Sequence, residues 1–216
     1  MSSSNYRYFA KSFLKNRWFE AILVTFVAML LGGTYFSSHS SSVITSSSTL
    51  SEDFALITLA MSLVFYFVGA VVNLGYNRYL FALAYGNRGD VSLLFSQFNN
   101  LARAGTLRLL VDIYTTLWTM LFIIPGIVKM YSYSMSSYIL TENPYMSANE
   151  AITVSKNIMQ GHRFRLFCLD LSFIGWSILS LLTFGLGFIV LLPYIEASRF
   201  AFYLDLTGRT PMGTVV

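Results

Sequence analysis

LRLLVDIYTTLWTMLFIIPGIVKMYSYSMSSYIL, residues 107–140, is the stretch that decides how the chain folds. As one continuous helix it would be about 51 Å long, against a bilayer hydrocarbon core of about 30 Å. A single helix would also carry Lys156, Arg163 and Arg165 to the side opposite the other basic segments. Pro125-Gly126 supplies a turn signal in the middle. A hairpin there, with Leu107–Ile124 as one span and Ile127–Leu140 as the next, keeps the N-terminal helix, residues 78–108, residues 156–165 and Arg209 on one face. The positive-inside rule selects the hairpin.

Working outward, Trp18–Phe36, Phe54–Val72, Leu166–Thr183 and Phe188–Leu206 are each apolar enough to span. The second continues as an amphipathic run to Tyr85, so it must leave the membrane or bend near Gly75. The sequence therefore predicts an all-α fold, a polytopic membrane helical bundle of six transmembrane helices arranged as three hairpins. It forms a single domain over residues 1–216 of the cytoplasmic membrane, with both termini cytoplasmic. Interfacial amphipathic helices are expected on the cytoplasmic side. The first covers 5–17, with Tyr6, Phe9, Ala10, Phe13 and Leu14 on one face and Arg7, Lys11, Lys15 and Arg17 largely on the others. The second covers 90–104, capped by Asp90, with Val91, Leu94, Phe95, Phe98, Leu101 and Ala102 as its stripe. The third covers 147–160, opened by the Ser147/Glu150 capping box and closed at Gly161. Residues 37–53 form an outer Ser-rich loop, FGLG at 184–187 a tight turn, and 207–216 a frayed tail.

Composition agrees. Of 216 residues, 55% are hydrophobic and 11% charged, where a soluble domain carries roughly 25% charged. A disordered chain is excluded, and the composition argues strongly against a water-soluble fold. The net charge of +4 is dispersed rather than gathered into basic runs interleaved with aromatics, so no nucleic-acid partner is expected. Cys168 stands alone, which excludes an intrachain disulfide. His39 is isolated in the Ser-rich loop. H-E-x-x-H, G-x-S-x-G and phosphate-cradling glycine loops are absent. The chain is expected to be non-catalytic, with no metal and no cofactor.

Ionisable groups inside spans are the candidate functional residues. Asp170 lies about 6 Å inward from Leu166, and Arg199 about 10 Å inward from Leu206 on the returning helix. An Asp170–Arg199 ion pair is expected, or a triad with Glu196 one turn away. Asp112 is assigned to Arg108 one turn earlier, Glu20 lies near Arg17, and Lys129 snorkels outward. The polar run from Tyr131 to Tyr138 is either packed in the bundle or lines a wet cavity with Lys129, Tyr133, Ser134 and Ser137. Arg7, Lys11, Lys15, Arg17, His162, Arg163 and Arg165 form an interfacial basic set suited to anionic head groups. These features predict a binding module for membrane lipids, a hydrophobic peptide, or a membrane-protein partner that includes a second copy. The alternative is a small transporter or channel subunit built on Asp170, Glu196 and Arg199.

From Pro125 to Tyr203, the segments PGIVKMYSYSMSSYILTENP and EAITVSKNIMQGHRFRLFCLDLSFIGWSILSLLTFGLGFIVLLPY, with the closing FY, resemble a bacterial integral-membrane family, domain of unknown function 975. The GHR-x-x-LF-x-LDLSFIGW block is the most specific part of the resemblance, and the Ser-rich outer loop the least typical of the family. The resemblance implies a multi-pass cytoplasmic-membrane protein with no established activity. A looser similarity is to the membrane domain attached to some glycerophosphodiester phosphodiesterases, which itself lacks the hydrolase chemistry.

Overall fold

The computed structural model describes residues 3–15, 17–32, 52–87, 89–183 and 185–209. Among these there is no strand, and nine α-helices carry the fold: α1 (Ser3–Leu14), α2 (Trp18–Leu30), α3 (Glu52–Ala84), α4 (Leu101–Leu121), α5 (Ile123–Tyr133), α6 (Ser136–Glu142), α7 (Ala148–Ile158), α8 (Arg163–Leu182) and α9 (Leu186–Leu206). Three segments, Leu56–Ala84, Arg163–Leu182 and Leu186–Leu206, are long and apolar enough to cross a membrane. Most of the Ser-rich loop, including His39, and residues 210–216 of the tail lie outside the described residues.

The chain breaks inside the 107–140 stretch, but at Phe122, whose backbone is extended (φ −157°, ψ 138°), three residues before Pro125. Pro125 sits in the first turn of α5, where its missing N–H costs nothing because first-turn amides have no helical partner. Gly126 lets α5 fold back along α4: a Cβ there would lie 2.3 Å from the Thr119 hydroxyl oxygen. The expected second span, 127–140, is two helices separated at Ser134–Met135.

Three further expectations are corrected. The segment 90–104 is not one helix. Two 3-10 turns, Val91–Leu94 and Phe98–Asn100, precede α4, and the Asp90 side chain makes no cap bond. The cause is tertiary: Gly75 of α3 receives the Leu94 backbone, whose oxygen would lie 2.2 Å from a Cβ at that position. That close approach fixes Leu94 and pre-empts a helical path, and α3 itself runs on as a helix through Gly75. Within the expected span Trp18–Phe36, α2 ends at Leu30 and Gly32 follows at φ +72°, while residues 33–36 lie outside the described residues. Finally, the apolar face of α1 is packed on protein. Tyr6, Ala10 and Leu14 are buried against the bundle, chiefly against α9.

Burial divides the bundle into two halves. In one, α1, α6, the second halves of α3 and α9, and the starts of α4 and α8 enclose an aromatic core. Phe81 meets Phe200 edge-on at 4.7 Å, Tyr138 stacks on Tyr203 at 5.2 Å, and Tyr6 meets Phe202 at 5.2 Å. Beside this core α7 is opened by the Ser147/Glu150 capping box, with both reciprocal bonds formed. In the other half, residues 56–65 of α3, the α4–α5 turn, the end of α8 and the start of α9 expose Leu, Ile, Val and Phe side chains on most of their faces.

Candidate functional site

The packed half ends in a groove of about 690 Å³ between α1, the start of α2, and the α8–α9 pair. Its apolar walls are Trp176 and Leu179 of α8 and Val190 and Leu191 of α9, with Trp18 at one side. Its floor is the outward face of α1, where Arg7 and Lys11, four residues apart, share one side of the helix. The Tyr194 hydroxyl donates to the Arg7 carbonyl (3.3 Å), which holds this floor against the wall. Among the described residues no carboxylate pairs with Arg7 or Lys11. The arrangement presents uncompensated positive charge at the edge of an apolar surface.

A side-chain network anchors α1 at its other face. The Tyr6 hydroxyl donates to Asp205 Oδ2 (2.6 Å), Arg165 bridges to the same oxygen (2.9 Å), and Arg165 also donates to the Tyr6 hydroxyl oxygen. Burial, and then the Asp205 carboxylate, push the Tyr6 phenol well above its ordinary range, so it remains a donor. Arg165 further donates to His162 Nδ1 (3.0 Å). The interfacial basic set therefore separates by role. Arg165 and His162 are spent on the protein, and Arg17 donates to the Asn87 carbonyl (2.5 Å). Arg163 has its Nε buried without a partner, Lys15 is exposed, and Arg7 and Lys11 face the groove.

Asp170 and Arg199 meet as a bidentate pair, Nε to Oδ1 and Nη2 to Oδ2, both 3.0 Å. Glu196 is buried one turn away and forms no hydrogen bond with either among the described residues. Lys129 lies over the Trp118 ring at 4.4 Å, while Tyr133 and Ser137 are buried and Ser134 donates to the Tyr131 carbonyl. None of these four residues lines the groove. The polar run is packed: Ser155 of α7 donates to the Ser132 carbonyl (2.8 Å), tying α7 to α5.

One cluster escaped the sequence reading. Arg108 does not pair with Asp112. Its guanidinium lies over the Tyr66 ring (4.5 Å) and donates to the carbonyls of Gly32 (3.4 Å) and Tyr66 (3.3 Å), while the Tyr66 hydroxyl donates to Asp112 (2.7 Å). A cation thus meets the Gly32 carbonyl just past the end of α2, where the helix dipole favours it. Gly69 makes room, since a Cβ there would lie 2.3 Å from the Gly32 oxygen. Small residues at 32 and 69 were the available signal.

Among the described residues no group of three or more His, Cys, Asp or Glu side chains gathers in a way that could hold a metal ion. Neither the curated proteins nor the solved structures give a match to the chain. The profile of one family does match, over residues 91–210, a range that includes α4 to α9 and the GHR-x-x-LF-x-LDLSFIGW block. The match covers more than half of the sequence, and the chain belongs to that family, described as protein of unknown function (DUF975).

Proposed function

We propose that the protein is a non-catalytic, multi-pass protein of the cytoplasmic membrane that holds an anionic phospholipid in the groove between α1 and the α8–α9 pair. The observation that carries this reading is the combination of Arg7 and Lys11, unpaired by any described carboxylate, with apolar walls of Trp176, Leu179, Val190 and Leu191. A phosphate head group takes the two cations and an acyl chain takes the wall, so a single amphiphile satisfies both chemistries. The reading includes six membrane passes as three hairpins with the basic end cytoplasmic. It is supported by the break at Phe122, by the return of α5 along α4, and by the clustering of basic residues on the packed half.

The test is to purify the full chain in mild detergent from membranes containing both phosphatidylglycerol and phosphatidylethanolamine, and to quantify the retained lipid by mass spectrometry. Phosphatidylglycerol should be enriched. Each basic residue near an acidic head group contributes about 1 kcal/mol, so the Arg7→Gln/Lys11→Gln variant should lose about 30-fold of that preference while staying folded. An unchanged lipid profile in the folded double variant rejects the reading.

A further inference from the structure

In the packed half, the pairing of Asp170 with Arg199 leaves one carboxyl over. Arg199 commits Nε and Nη2 to the two oxygens of Asp170. Glu196, only 8% exposed, sits one turn earlier on α9 and has neither a hydrogen bond nor an ion pair among the described residues. The titratable groups facing it are Arg199 on its own helix, Asp170 on α8 and Tyr76 on α3. The hydroxyl of Tyr76 is shared with Thr25 of α2 at 3.0 Å. Two carboxyls and one guanidinium therefore occupy the same interior, and the guanidinium already has its match. An ionised Glu196 would put a second negative charge beside a guanidinium already paired with Asp170, on a side chain that is itself buried, and a carboxyl in that situation takes up a proton instead.

We propose that Glu196 is a proton-binding site, a neutral carboxylic acid in the folded protein at neutral pH. The proton resides on the carboxyl, giving it a neutral O–H in place of a charge. The same helix carries Leu191 and Tyr194, which form part of the groove wall and hold α1. Loss of the proton would charge the helix that positions the groove, although the site stands whether or not a lipid occupies that groove.

The experiment is infrared spectroscopy on the full chain in lipid nanodiscs at pH 7, with Glu196→Gln as the comparison. The amide is nearly isosteric with the neutral acid and carries no charge, so this variant should fold with an unchanged Tm. The wild type should show the carbonyl stretch of a protonated carboxylic acid, shifted in heavy water, and the variant should lose it. A wild type without that band overturns the proposal. So does a band that persists in the variant, since it then belongs to another carboxyl. A variant that fails to fold also overturns it, because the charge would then be required.

Discussion

Phe200 and Leu182 are both large apolar residues on neighbouring helices of one bundle, yet the first is fully buried and the second is 74% exposed. The same contrast runs along single helices. In α3, Val71, Val72, Tyr76 and Tyr79 are closed off, whereas Leu56, Ile57, Val64 and Phe65 are open. The packed half is held as a soluble core is held, by interlocking aromatic rings, small residues and a few satisfied polar groups. The open half is helical on both sides of the Phe122 break and turns its apolar side chains outward, which suits a segment whose solvent is hydrocarbon. Sequence change should therefore cost stability in the first half and little in the second.

The largest effect is expected at the ion pair. Arg199→Met leaves the partly buried Asp170 without its bidentate partner and should cost up to about 3–5 kcal/mol in a denaturant titration of the detergent-solubilised protein. Asp170→Leu combined with Arg199→Met should recover most of that loss; an additive double variant would mean that the pair does not act as a unit. Phe200→Ala comes next, at about 3–5 kcal/mol including its cavity, while Leu182→Ala should stay within about 0.5 kcal/mol. Equal losses at both positions would erase the division between the halves. Glycines give a smaller and cleaner comparison. At Gly75 an added methyl meets the Leu94 backbone, so Gly75→Ala should cost about 1–3 kcal/mol. A Cβ at Gly175 meets nothing within 4 Å, and Gly175→Ala should be neutral or stabilising by up to about 1 kcal/mol.

The sequence is most informative where the signal is local and least where it is tertiary. Apolar length marked the helices of the open half, and S-x-x-E marked the start of α7, because each depends on neighbours a few residues away. The stripe from Val91 to Ala102 looked equally helical, but its path is set by Gly75 and by Gly89 lying on the Tyr79 ring, and no periodicity within the stripe encodes that. Pro125 was the loudest breaker in its segment and did not break it, because a helix's first turn tolerates proline. Arg7 and Lys11 could be read as a basic helical face. The groove could not, since Trp176 and Leu179 look like ordinary lipid-facing residues until α1 is laid beside them. Arg108 misled for the same reason: Asp112 was its local partner, whereas its actual acceptors lie 42 and 76 residues away.

The smallest expected effect comes from α7, which belongs to the packed half but opens at the surface and is started by side-chain chemistry rather than by burial. Glu150 accepts from the Ser147 N–H (2.9 Å) and Ser147 Oγ accepts from the Glu150 N–H (3.3 Å). The backbone bond from Ser147, followed by its side-chain bond, holds the Glu150 carboxyl below its ordinary value of 4.5. A carboxyl whose folded pKa is depressed stabilises the fold above its unfolded pKa, and that contribution fades as pH falls through the folded value. The wild type should therefore lose a small increment of thermal stability on acidification below about pH 4.5, and Glu150→Gln, which keeps an acceptor but does not titrate, should not. The measurement is the difference in Tm between the two proteins across that range, which cancels the titration of every other carboxyl. A flat difference would show that α7 is held in place by Ala151, Ile152 and Ser155 against the bundle alone, and the packed half would then include its surface helix on the same terms as its core.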